Sequence, residues 1–373
     1  MAKILTGIDE VAKEVKKGYA GVENKARKII KGYAGVAGIA RPIFDTTSGG
    51  GESGTIAYYG TVDSLSAKKW RLSGANVGKY VLFAGGDTKT KTVDVYDNSL
   101  IKTTTTDLSV ARNDMGSASI GEYGIFAGGY TTSRLSNVDA YNNSLVKVTI
   151  SNLSAVKDEG CGGTIGNYAL FAGGGGPSGW STIVDTYTNE LVKGTTTKLS
   201  KNRSDMGSAN TGDYLLFAGG SNGTTNVDTY TSNLVKGTTT ALSEGREQLG
   251  GARAGDYAIF AGGNNSSSKT TATVDVYSAD LTKVTANSLS VNRKFLTGIS
   301  LNGNAMFVGG INASNGLDTI DVYNSSLVKN ETLKLSTGRS QLAGATTGNK
   351  AFFAGGYGGV NNTSAVVDVF EII

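Results

Sequence analysis

One phrase, used seven times, constrains this chain more than anything else in it. A Phe followed by Ala or Val and then two glycines ("FAGG" or "FVGG") stands at Phe83, Phe126, Phe171, Phe217, Phe260, Phe307 and Phe353. Successive copies lie 43 to 47 residues apart, a period that calls for a propeller or a solenoid before any other architecture. A Leu-Ser pair precedes each Phe by eighteen residues, at Leu65, Leu108, Leu153, Leu199, Leu242, Leu289 and Leu335. Each double glycine is followed by a Val/Ile-Asp-x-Tyr/Phe run carrying Asp94, Asp139, Asp185, Asp228, Asp275, Asp321 or Asp368. The aromatic of that run lies twelve residues before the next Leu wherever the chain continues. All variation in length, 7 to 11 residues, falls between the double glycine and the Asp run.

Each unit reads as four strands. The first is small and plain ("GSAN", "GGAR", "AGAT"), as an inner strand crowded round an axis must be. The second is the "YLLFAGG" run, whose glycines let the backbone turn where side chains would clash. The third is "VDTY", and the fourth is the Thr-rich "LVKGTTT", whose β-branched residues suit a half-exposed outer strand. With 54 glycines and only 2 prolines in 373 residues, the composition favours strands and tight turns over helices. The seventh unit ends at Ile373, three residues past Phe370, and lacks its fourth strand. A spare segment, "AYYGTVDSLS" from Ala57, aligns with "LIKTTTTDLS" and can supply it. The expected fold is therefore all-β: a seven-bladed propeller over 57–373, closed by its N-terminal strand, so that no sheet edge is left open between the ends.

The double glycine, the later Tyr and the base ahead of the inner strand resemble kelch repeats. The usual kelch Trp of the outer strand is replaced by Leu-Val-Lys-x-Thr, which marks a divergent branch. The resemblance implies an interaction platform, and a fold by itself assigns no chemistry.

Residues 1–44 carry a second, shorter repeat. "KGYAGVENKARKII" from Lys17 is followed by "KGYAGVAGIARPIF" from Lys31, and "KILTGIDEVAKEVK" from Lys3 aligns as a degenerate first copy. Units of fourteen residues cannot bury a core alone. Residues 45–56, including "DTTSGGGESG", read as a Gly/Ser-rich linker. The leader resembles a tandem Gly-Tyr-x-Gly-Val…Ala-Arg module of virion structural proteins from phages and prophages of Gram-positive bacteria. That resemblance implies docking onto other virion proteins, in several copies per particle, through Tyr19, Val22, Ile29, Tyr33, Val36, Ile39 and Phe44. The other readings are an amphipathic arm packed on its own propeller and, for "DEVAKEVKK", a helix. Without a signal peptide or an apolar span, the expected location is the virion, after synthesis in the host cytoplasm.

The charge is uneven. Residues 1–45 hold nine basic and five acidic side chains, and the rest holds 26 of each. A neutral body with a basic leader is not a nucleic-acid-binding domain. Four residues after each Leu stands a base: Lys69, Arg112, Lys157, Arg203, Arg246, Arg293 or Arg339. These could ring one mouth of the channel as a binding face, or each could pair with a repeated Asp inside its blade. In the variable loops Tyr130, Trp180 and Tyr357 stand among Asn, Ser and Thr, where aromatic rings can stack on a host-surface glycan or anchor a protein. There is no histidine, so Ser-His-Asp and Cys-His catalysis and a galactose-oxidase-like copper site are excluded. The Ser-x-Asp-x-Gly-x-Thr-Trp turns of sialidases are missing, and no glycine pair forms a phosphate loop. Neither a cofactor nor a metal is expected, and the chain reads as a non-enzyme. Cys161 reads as a small buried hydrophobe.

Overall fold

The computed structural model describes residues 54–373 except 88–89, 222, 331–332 and 360–361, together with the backbone of six short strands in the leader. Met1–Glu52 and Ser53–Ile373 are separate compact units. In the first, three antiparallel hairpins pair Ile4–Thr6 with Lys13–Val15, Tyr19–Val22 with Lys25–Lys28, and Lys31–Val36 with Ile39–Asp45. The side chains of Tyr19, Val22, Ile29, Tyr33, Val36, Ile39 and Phe44 lie outside the described residues.

Among the described residues the second unit has seven four-stranded antiparallel sheets, whose strands pair in chain order in all but the last, and three two-stranded ribbons. Blade 4 shows the plan: Gly207–Asn210, Tyr214–Ala218, Val227–Thr231 and Lys236–Thr238, from the axis outward. In blade 7 the first three strands are Ala343–Thr347, Lys350–Ala354 and Val367–Ile372, and the fourth is Ile56–Val62 from the other end of the unit. The ring is thus closed by the segment the repeat leaves over. The closing strand starts at Ile56, the last residue of the 45–56 linker assignment, and Ile373 N donates to Thr55 O at 3.0 Å.

Two glycine positions show why the repeat keeps its spelling. Gly219, first of a pair, has φ +68°, and a Cβ there would stand 2.4 Å from Arg246 O of the next blade. Gly251, on an inner strand, would put its Cβ 2.3 Å from Ser208 O of the preceding blade. Only glycine accepts both the left-handed backbone and the close approach.

The apolar core is seven seams rather than one centre. Ala75, Leu82 and Val95 of blade 1 pack on Phe126 and Tyr141 of blade 2. The closing seam sets Phe352 and Val369 of blade 7 against Phe83 and Tyr96 of blade 1. Within a blade the Phe of the repeat meets the Tyr of the third strand edge to face, as in Phe217–Tyr230 at 6.0 Å and 74°. Such pairs add about 0.5–1.5 kcal/mol beyond the area they bury.

Candidate binding face

The register puts each repeated Phe opposite the repeated Asp of the third strand, Phe217↔Asp228 for example. That places the carboxylate inside the blade, where it needs partners. Arg203 Nη2 donates to Asp228 Oδ2 at 2.6 Å and also to Phe217 O. Ser200 of the Leu-Ser pair donates through N and Oγ to the same carboxylate, which explains why Ser follows Leu. Equivalent buried pairs join Lys69–Asp94, Arg112–Asp139, Lys157–Asp185, Arg293–Asp321 and Arg339–Asp368. Arg246 Nη1 stands 2.7 Å from Asp275 Oδ2 with neither atom hydrogen-bonded, so there the pair is ionic only.

The reading of Arg112, Arg203, Arg246, Arg293 and Arg339 as a binding ring therefore gives way to the pairing reading. Their side chains are 0–1% exposed and each is committed to its own blade. Burial raises the carboxyls of Asp94, Asp185 and Asp275, but the cation and the Ser donors outweigh it and hold all three below the usual carboxylate range. A second cation went unnoticed in the sequence. Lys102, Lys147, Lys193, Lys236, Lys283 and Lys329, each eight residues after its Asp, reach the other carboxylate oxygen at 2.5 to 3.9 Å. In blade 7 Tyr58 pairs with Phe370 where Lys102 pairs with Tyr96, and its hydroxyl donates to Asp368 at 2.9 Å.

Two residues beyond each staple base, the chain builds a different ring. Arg71, Asp114, Glu159, Asp205, Gln248, Phe295 and Gln341 all have φ between +51° and +58°. Each donates its backbone N–H to the carbonyl of the same position in the preceding blade, at 3.0 to 3.3 Å, and Arg71 N closes the circle on Gln341 O. This seven-membered belt surrounds the channel mouth on the side of the variable loops. Its backbone repeats while its side chains do not. Below it Leu72, Met115, Met206 and Leu342 help to line a recess of about 330 Å³. Cys161 lines the same recess, half-buried, so it is less enclosed than a core hydrophobe; burial pushes its thiol up to about 11.

Acids gather on one arc of the belt. Burial pushes the Asp114 carboxyl up to about 7 against the pull of Arg71, whose Nη1 lies 3.0 Å from Asp114 Oδ2. Burial, and then Glu159 and Glu247, push Asp205 up to about 7. Burial and Asp158 raise Glu159 as well.

The loop aromatics are not brought together. Tyr130 and Trp180 are each 38% exposed, on the loops of blades 2 and 3. Tyr357, in blade 7, is half-buried and packs on Trp70 with ring centroids 5.3 Å apart, and Arg71 lies 4.8 Å over the Trp70 ring. Trp70 escaped sequence reading because nothing repeats there.

No family model matches the chain, and no curated protein matches it. Among solved structures, one described as the structure of YjhT is similar, with a TM-score of 0.59 at 13% identity, covering 73% of this chain and 99% of that one. At that identity the likeness concerns the propeller fold.

Proposed function

We propose that this protein is a non-enzymatic structural component of a phage or phage-like virion, anchored through its leader and displaying the propeller for interaction. The observation that carries the reading is the thrice-repeated fourteen-residue unit joined to a propeller that closes on itself. The propeller satisfies its own edges, whereas units as short as those of the leader must find burial elsewhere. Tyr19, Val22, Ile29, Tyr33, Val36, Ile39 and Phe44 are assigned to docking, and repetition suits contact with repeated surfaces of capsid, collar or tail, in several copies. The test is mass spectrometry of purified particles from a strain carrying the intact gene, a deletion of residues 1–50, or Tyr19→Ala with Tyr33→Ala. The protein should be present with the intact gene, absent with the deletion and reduced with the double variant. A propeller that stays on particles without the leader would sink the reading.

A second reading has the propeller recognise a host-surface glycan. The exposed rings of Tyr130 and Trp180 on the loop face favour it. A glycan array probed with the full chain, against Tyr130→Ala and Trp180→Ala, tests it directly.

A further inference from the structure

We propose that two copies of this chain pair through the closing strand, Ile56–Val62, laid antiparallel on itself across a twofold axis at Tyr59. The inference concerns the propeller alone and goes beyond the reading above, which it does not need. Closing the ring removes the gap between the first and last blades, yet each blade still ends outward in an edge strand with no neighbour on its far side. Six of those edges are blunted in the same way. Lys102–Thr104, Lys147–Val148, Lys193–Thr195, Lys236–Thr238, Lys283–Val284 and Lys329–Asn330 are two or three residues long, and each opens on a lysine. Short edge strands and edge lysines keep one sheet from adding to another.

Blade 7 has neither device. Its outer strand runs for seven residues, "IAYYGTV", without a charged side chain or a proline. Tyr58 and Tyr59 stand on it 42% and 53% exposed, ahead of every other described aromatic. A bulge falls at Tyr59, which has no residue opposite it in Val367–Ile372. That bulge is the one blunting feature of this edge, and the strand pairs regularly on either side of it. Its β-branched and aromatic residues suit a pleated surface, so the outward N–H and C=O groups lie along a segment fitted to take a further strand.

Backbone groups alone would accept any strand; the match of this segment to itself selects a second copy. Turned antiparallel about Tyr59, the strand sets Ile56 against Val62, Ala57 against Thr61 and Tyr58 against Gly60. The β-branched pair is a favourable cross-strand contact. An aromatic ring opposite an edge glycine covers the backbone that glycine leaves bare. No charge on either strand opposes the pairing. Each copy has one such edge, so the contact uses up both and closes at two instead of growing into a fibre.

The experiment is sedimentation velocity of the full chain over a wide range of concentration. Seven residues make a small interface, so a weak dimer is expected, half-formed somewhere between about 1 μM and 1 mM. Tyr59→Lys brings two ammonium groups together at the axis without removing a pair inside blade 7. It should weaken the dimer about tenfold or more while the melting temperature is kept. Tyr59→Cys should join two chains by a disulfide under mild oxidation, because facing residues of antiparallel strands hold their Cα atoms about 4.5–5.5 Å apart, within disulfide reach. Val235→Cys, on the rim of blade 4 at a site 64% exposed, should not. A chain that stays monomeric throughout that range would overturn the proposal. So would a folded Tyr59→Lys variant that dimerises like the wild type, or a Tyr59→Cys variant that cross-links no better than Val235→Cys. A dimer made instead through the leader would survive Tyr59→Lys and would not cross-link at position 59. The cross-linking comparison decides the matter even if the lysine variant does not fold.

Discussion

Two sets of acids occupy neighbouring places in the same repeat and behave in opposite ways. The staple aspartates, Asp94, Asp185 and Asp275 among them, are buried and depressed. The mouth acids Asp114 and Asp205 are raised. Both sets lose water, so burial alone does not distinguish them. The difference lies in what faces each carboxylate: buried cations and the Ser N–H and hydroxyl inside the blade, against a half-exposed Arg71 beside Asp114 and the Gln248 amide beside Asp205, with other acids across the mouth. A carboxylate with dedicated partners holds the fold together. One that repels its neighbours works against the fold, and such arrangements cluster where a molecule meets a ligand. The repeat enforces the first set in all seven blades and leaves the second free to vary.

The largest effect should come from opening the ring at its closing blade. Deleting residues 54–62 removes the strand paired with Val367–Ile372, exposes that edge, and takes the Tyr58 hydroxyl from Asp368. Without it the staple of blade 7 is incomplete and the seam holding Ile56 loses a wall. The expected outcome in calorimetry is a melting temperature lower by on the order of ten degrees or more, with aggregation on heating. A truncated chain that melts like the intact one would mean the ring does not depend on this strand.

Next in size is the breaking of a single staple. Asp228→Ala leaves Arg203 buried and uncompensated, and should cost about 3–5 kcal/mol. The double replacement Arg203→Met with Asp228→Leu removes both charges and should recover most of that loss, as measured by denaturant unfolding. If the double variant is no better than the single one, the staple contributes through geometry rather than charge balance. Asp205→Asn, by contrast, relieves repulsion and should leave stability at pH 8 equal or higher. A loss there comparable to that of Asp228→Ala would erase the distinction between the two sets.

The sequence discloses these features unequally, for a physical reason. Whatever the fold needs in every blade is written seven times, so the double glycines, the Leu-Ser pairs, the Asp strand and its base can be aligned without a structure. The spare strand at Ile56–Val62 was legible for the same reason, because the seventh unit visibly lacks one. Pairing of Arg112, Arg203, Arg246, Arg293 and Arg339 with the aspartates was one of two open readings, since spacing places a side chain on a level of the blade but does not say whether it points inward. The belt was not read because it is made of backbone: hydrogen bonds between Arg71, Asp114 and their counterparts leave no mark on residue type. The stacking of Trp70 on Tyr357 joins blades 1 and 7, distant in sequence, and occurs once.

The finest test is titration, because the two sets of acids should pull stability in opposite directions with pH. Asp94, Asp185 and Asp275 have folded values below their unfolded ones, so they contribute stability above about pH 4 that is lost as pH falls further. Asp114 and Asp205 have folded values raised to about 7. Their protonated forms favour the folded state, so their contribution is complete below about pH 4 and is lost as pH rises towards 7. Asp114→Asn with Asp205→Asn removes only the second dependence. The melting temperatures of wild type and double variant should lie closest near pH 4. Between pH 4 and 7 they should separate, with the variant the more stable, and beyond about pH 8 the gap should stay constant. A gap that does not change across this range would show that the two mouth carboxyls titrate as ordinary exposed acids. A gap of opposite sign would show that Arg71 on Asp114 and Gln248 on Asp205 outweigh burial as the staple partners do, and the contrast between the two sets would then be one of position in the blade alone.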